Sequence, residues 1–201
     1  ASASAAKSSA VDEIIDRVEA RYAGEGFAAD FLQESIIKAM DISDFAKGKI
    51  FVRRPGMMRW EYEEPDKQVI ITDGQKLWIY RPEDNQVLTG LAPAFFRDGK
   101  GASFLADIKI LRRKFDISLG AADSDLFYEL KLVPHTKTLD VTDIRLSISK
   151  NTFAITSVVT YNSYGDETRV ELLNTKFDQK LDESLFSFEI PEGVEVLQID
   201  E

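Results

Sequence analysis

Few of the residues able to do chemistry stand in patterns that a reaction needs. The chain has one histidine, His135, in the polar turn Pro134-His135-Thr136-Lys137, and no cysteine. No H-E-x-x-H, G-x-S-x-G or phosphate-binding loop occurs, and Gly99-Lys100-Gly101-Ala102-Ser103 lacks the spacing of a Walker motif. The carboxylate pairs Glu63-Glu64 and Asp182-Glu183 border turns, where solvation is the ordinary reading. With no cysteine in the sequence, disulfides, thiol catalysis, thiolate-bound metals and lipid attachment through an N-terminal cysteine are not expected. No catalytic residue, metal ligand or cofactor is therefore expected.

One charged residue is placed more pointedly. Lys49 to Arg54 alternates so that Ile50, Val52 and Arg54 share one face of a strand. If that face is the inner one, a guanidinium with five donors lies at the border of an apolar concavity. Burying it unpaired is costly, so it must find carboxylate or backbone carbonyl partners. From the residues alone, a rim arginine in an ordinary salt bridge is the plainer reading.

The elements around Arg54 are legible. Residues 49–91 read as five consecutive antiparallel strands with turns at Pro55-Gly56, Glu64-Pro65-Asp66-Lys67, Asp73-Gly74 and Pro82-Glu83-Asp84-Asn85. Met58, Trp60 and Tyr62 fall on one face of the second strand, with Met57, Arg59 and Glu61 on the other. Upstream, Val11, Ile14, Ile15, Val18 and Tyr22 recur at helical spacing, and Gly24 and Gly26 end that helix. Residues 1–9 are Ala/Ser-rich and are expected to be a mobile arm. Phe27 to Met40 reads as a strand of mixed alternation.

After the central stretch, Leu91 to Phe115 reads as one or two short helices, with Phe104, Leu105, Ile108 and Leu111 apolar on one side. Strands follow at Phe115–Leu119, Leu126–Val133, Asp143–Ser149, Phe153–Tyr161 and Thr168–Phe177. The tail from Phe186 to Val194 alternates again. About ten or eleven strands joined by short turns argue for one large antiparallel sheet, which must curl or split as its strands twist.

The length of 201 residues and a 44% hydrophobic content suit a single folded domain over 1–201. Twenty-five basic against 35 acidic side chains leave a net charge of −10, which opposes binding to nucleic acid or an anionic lipid surface. The longest apolar run, Leu91 to Phe96, is far short of the ~20 residues that span a bilayer.

The string R-R-P-x-M-M-R-W-E-Y, followed by P-D-x-Q-V-I-I-T-D-G-x-x-L-W-I-Y and then Q-V, resembles the LolA family of periplasmic carriers of outer-membrane lipoproteins. The tail resembles the family's F-x-F-x-x-P-x-G-V ending. The resemblance implies a mainly β (α+β) fold: a half-open, strongly curved antiparallel β-barrel of about eleven strands, with an α-helical lid over its concave apolar face. It implies a monomer in the periplasm, after signal-peptide removal, that is not an enzyme and binds no nucleic acid. Acylated lipoproteins would be its cargo, an inner-membrane lipoprotein-releasing ABC transporter the donor, and a LolB-like outer-membrane receptor the acceptor. By the same resemblance Arg54 matches the arginine that locks the lid, and Val52, Met58, Trp60, Leu77 and Ile79 would line the acyl cavity. Ile14, Ile15, Val18, Phe104, Leu105 and Ile108 would form the underside of the lid. Two other readings stay open: a carrier or sensor of another envelope lipid or glycolipid on the same scaffold, and a structural or enzymatic envelope protein.

Overall fold

The computed structural model describes residues 2–122 and 124–199. Helix α1 (Ser2–Arg21) leads into β1 (Gly26–Ile37), a 3₁₀ turn (Lys38–Met40) and β2 (Ile42–Arg53). Then come β3 (Met57–Glu64), β4 (Gln68–Thr72), β5 (Lys76–Arg81) and β6 (Gln86–Leu91), which with β2 make the five strands expected over residues 49–91. The expected helical stretch holds α2 (Ala92–Phe95), a 3₁₀ segment (Arg97–Ala106) and α3 (Ile110–Lys114). The chain finishes with β7 (Phe115–Leu119), β8 (Phe127–Pro134), β9 (Asp143–Ser149), β10 (Ile155–Tyr161), β11 (Glu167–Lys176), a 3₁₀ turn (Glu183–Phe186) and β12 (Glu195–Gln198). Helix α1 starts inside the Ala/Ser stretch expected as a mobile arm, in keeping with the helical propensity of alanine; Ala1 lies outside the described residues.

The twelve strands follow the order β12-β6-β5-β4-β3-β2-β1-β11-β10-β9-β8-β7, with β12 and β7 as its two ends. The sheet is therefore open. Strands β2 to β6 pair antiparallel in succession, as do β7 to β11, whereas β12 runs parallel to β6. That last strand takes the count one beyond the expected eleven. The alternation from Phe186 to Val194 does not become a strand. Asp182 caps a 3₁₀ turn there, its Oδ1 accepting from the Ser184 amide at 2.8 Å, and Phe186 is buried.

Two compact units divide the chain. The first comprises Ala1–Ala23, Gln33–Asp44 and Ile108–Leu172. Its core holds the inner face of α1 (Val11, Ile14, Ile15, Val18, Tyr22) and inward residues of β8, β9 and β10, among them Leu130, Leu132, Ile144, Leu146, Ile148 and Val158. On β9 these alternate strictly with half-buried polar residues, as the sequence pattern requires. The Tyr22 hydroxyl accepts a buried bond from the Ile155 amide at 3.0 Å, fixing the end of α1 to its own sheet.

The second unit comprises Gly24–Leu32, Phe45–Asp107 and Leu173–Glu201. Register explains its core. Val52 pairs with Met58, Met58 with Thr72, Thr72 with Leu77 and Leu77 with Gly90, so one row crosses β2 to β6. Ile50, Trp60, Ile70, Ile79 and Leu88 form a parallel row two residues away on the same face. Phe31 of β1 meets Trp60 and Tyr62 edge-on, with ring centroids 4.9 and 5.0 Å apart. This answers the mixed alternation of β1: Phe27, Ala29 and Phe31 are buried, and the strand beyond them emerges into solvent.

Candidate functional site

Arg54 follows β2 directly and precedes a tight turn in which Gly56 has φ of 73°; Gly74, in the turn between β4 and β5, has φ of 95°. Side chains disfavour that region, and the two glycines lie against each other: a Cβ built on Gly56 would sit 3.5 Å from the Gly74 Cα. The Arg54 backbone N–H donates to the Glu25 carbonyl at 2.9 Å, and its Nη1 donates to the Gly24 carbonyl at 2.6 Å. One residue thus clasps the Gly24-Glu25 segment with both main chain and side chain. Arg53, on the opposite face, reaches Glu183 at 3.1 Å and Glu25 at 3.5 Å. Two adjacent arginines therefore hold the same short segment from different sides.

Beside this clasp, Val52, Met58, Trp60, Leu77 and Ile79 all belong to the two cross-strand rows of the second unit, and each is at most 6% exposed. Leu77, Ile79 and Ala92 form a cluster over which Ile70, Leu88, Phe95, Phe96 and Ile199 pack. The apolar face is filled by the protein's own side chains, including two aromatic rings from α2 and its C-terminal neighbour. Any acyl chain occupying it would replace part of this packing.

The other expected residues divide between the units. Ile14, Ile15, Val18 and Ile108 are buried in the first unit, and Phe104 and Leu105 in the second. His135 is exposed, with Nε2 3.1 Å from Asp116 Oδ1.

Sequence reasoning missed Arg112. From α3 its guanidinium reaches three carboxylates of α1: Nη1 to Asp12 Oδ1 at 2.9 Å, Nη2 to Asp16 Oδ1 at 2.5 Å and Nε to Glu19 Oε1 at 3.1 Å. Nη2 also donates to the Asp12 carbonyl at 3.2 Å. Partial burial works against the charged guanidinium, but the hydrogen bonds to Glu19 and Asp12 and the charges of Glu19 and Asp16 outweigh it. Its proton is held more tightly than in a free arginine. The spacing 12, 16, 19 puts the carboxylates on one helix face, and that spacing was the available signal. Beside the network, a groove of about 750 Å³ runs between α1 and β7, lined by Val11, Ile15, Phe115, Ile117 and Leu119 among others.

No helix among the described residues is long and apolar enough to cross a membrane. A mostly antiparallel, open twelve-stranded sheet with an apolar face and an amphipathic first helix defines the class of fold among the described residues, and sequence comparison names the family. The family model described as outer membrane lipoprotein carrier protein LolA matches residues 23–189, and the chain belongs to that family. A Legionella pneumophila outer-membrane lipoprotein carrier protein is 30% identical over 176 residues, covering 85% of this chain and 82% of its own. The Pseudomonas aeruginosa protein of the same description is 26% identical over 151 residues, covering 75% and 71%. Among solved structures, an uncharacterized conserved protein from Thermus thermophilus superposes with a TM-score of 0.60 at 15% identity, covering 94% of this chain and 99% of that one. A LolA superfamily protein from Nitrosomonas europaea gives 0.53 at 13%, covering 89% and 97%. These two likenesses concern the fold.

Proposed function

We propose that this protein carries acylated lipoproteins through the periplasm, accepting them from an inner-membrane lipoprotein-releasing ABC transporter and passing them to an outer-membrane receptor without catalysing a reaction. The observation that carries this reading is the pair of apolar rows across β2 to β6, in a chain of the LolA family. Val52, Met58, Trp60, Leu77 and Ile79 are the acyl-contacting wall. Met58 suits such a wall because its flexible thioether adapts to different chain positions. Of the residues expected on the underside of a lid, Phe104 and Leu105 lie in the same unit as this wall, and Ile14, Ile15, Val18 and Ile108 are buried in the first unit.

Energetics set what the device must do. Transfer of an acyl chain gains roughly 0.8 kcal/mol per methylene, so a dozen amount to on the order of 10 kcal/mol. A carrier that bound with all of that energy would not let go. Because the wall is already packed in the free protein, cargo competes with Phe95, Phe96 and the residues they cover, which lowers its net affinity and permits onward transfer. Arg54 adds to this competition by bonding the Gly24-Glu25 segment, bonds that cargo entry would have to break.

The test is gel filtration without detergent of the protein mixed with a triacylated lipoprotein and, separately, with a fluorescent fatty acid. Comigration of the lipoprotein supports the reading. Comigration of the fatty acid alone points to another lipid cargo, and comigration of neither sinks the carrier function. Arg54→Leu is expected to retain lipoprotein when an acceptor is added; release at the wild-type rate would remove Arg54 from the mechanism.

A further inference from the structure

Three turns of the first unit come together at one end and expose large apolar side chains. Met40, with Ile37 and Ile42 beside it, forms the tip of the β1–β2 hairpin; Tyr164 lies between β10 and β11, and Leu139 between β8 and β9. Met40 and Leu139 are each 65% exposed and Tyr164 is 72% exposed. Hydrogen bonds join the turns. The Lys38 amide donates to Asp166 Oδ1 at 2.9 Å, and the Ser163 amide and hydroxyl both donate to the Leu139 carbonyl at 3.0 Å.

The polar atoms of these turns are spent on holding their shape. Asn162 Oδ1 accepts from the amides of Tyr164 and Asp166 at 3.0 Å each, and its Nδ2 donates to Asp166 Oδ2 at 3.1 Å. Thr138 Oγ1 accepts from the Val141 amide at 3.3 Å. Tyr164 and Leu139 therefore stand at the apices of internally bonded turns, where a polar residue would cost nothing. A patch of this kind on otherwise polar loops marks a contact surface.

Charge narrows what can cover it. Within four residues of Met40, Leu139 and Tyr164 the sequence carries six carboxylates (Asp41, Asp44, Asp140, Asp143, Asp166 and Glu167) against two ammonium groups (Lys38 and Lys137), within a chain of net charge −10. A second copy would bring like-charged rims together, and an anionic bilayer would repel this end. We infer that the three-turn end, centred on Met40, Leu139 and Tyr164, docks a partner protein that presents an apolar helix face flanked by lysine or arginine. This inference stands independently of the cargo reading.

The probe is a synthetic amphipathic helical peptide of about 18 residues, one face leucine and the other lysine, titrated with the full chain by fluorescence anisotropy at about 0.15 M salt. A leucine–glutamate peptide of the same design is the charge control. Saturable binding of the lysine peptide is expected, with a loss on the order of 10- to 100-fold in the triple variant Met40→Ser, Leu139→Ser, Tyr164→Ser. No change is expected for Leu91→Ser combined with Leu126→Ser, exposed apolar residues elsewhere. Circular dichroism melts of both variants show that the fold is kept. The inference is overturned if the lysine peptide does not bind, if both variants bind it equally, or if the glutamate peptide binds as well. It is also overturned if the wild type, but not the triple variant, floats with phosphatidylcholine or phosphatidylglycerol vesicles, which would make the occupant a lipid surface. Self-association that the triple variant abolishes, seen by sedimentation, would instead make it a second copy.

Discussion

Replacing Arg112 by alanine removes one cation from three carboxylates at once, and the structure sets how much that should cost. The Arg112 side chain is 34% exposed, and its partners Asp12, Asp16 and Glu19 are 61%, 71% and 25% exposed. Exposed pairs contribute about 0.2–1 kcal/mol each, so three pairs give about 1–2 kcal/mol after solvent screening. The loss includes the repulsion released among carboxylates spaced 12, 16 and 19 along α1, a few tenths of a kcal/mol per neighbouring pair. Urea unfolding at about 20 mM salt should therefore move to a lower midpoint in Arg112→Ala with an unchanged slope. At about 1 M salt, where the screening length shrinks to about 3 Å, the difference between variant and wild type should fall by at least roughly half. Arg112→Lys should recover part of the low-salt loss, since an ammonium carries the charge without the three-way geometry. A loss equal at both salt concentrations would show that Arg112 acts through the packing of its methylene stem. No loss at low salt would show that the three ion pairs contribute nothing to α1.

Three further outcomes follow from individual contacts. Tyr22→Phe leaves the buried Ile155 amide without its acceptor, and thermal or urea unfolding should show a loss of about 1–3 kcal/mol. Gly26→Ala would bring a Cβ to 2.5 Å from the Val52 carbonyl and 3.1 Å from that of Gln179, so a destabilisation of about 1–3 kcal/mol is expected in the same assay. Bonds from the Ser184 backbone amide and then its hydroxyl hold the Asp182 carboxyl below its usual range. Its stabilising contribution is thus present above the unfolded-state pKa and disappears as pH falls through the lower folded-state value. Asp182→Asn should make the stability profile flatter across that acidic window, and an unaltered slope would show that the cap is not coupled to folding.

The strands from residue 49 to 91 were legible because one face of each is buried. Period-two alternation is the direct imprint of that burial, and the Pro-Gly, Asp-Gly and Pro-Glu-Asp-Asn turns punctuate it. The same logic identified β9 through Ile144, Leu146 and Ile148, and α1 through Val11, Ile14, Ile15, Val18 and Tyr22. It failed at the tail. Phe186 and Phe188 alternate like strand residues, yet one is the buried last residue of a 3₁₀ turn capped by Asp182 and the other meets the Tyr80 ring at 5.2 Å. Two aromatics spaced by two fit a strand and a docked irregular segment equally well.

Which residues are apolar and on which face they lie belonged to the sequence, since side-chain chemistry and backbone period are local properties. Val52, Met58, Trp60, Leu77 and Ile79 could be picked out on that basis and on family resemblance. That they stand in two adjoining rows required the register of four strand pairs. Only the tertiary structure chose Gly24 as the partner of Arg54, thirty residues away, and Arg112 as the cation for Asp12, Asp16 and Glu19. It alone brought Met40, Leu139 and Tyr164 to one end. Hydrogen bonds and ion pairs act over a few ångströms, and contacts between residues distant in sequence exist only once the chain has closed the loops between them.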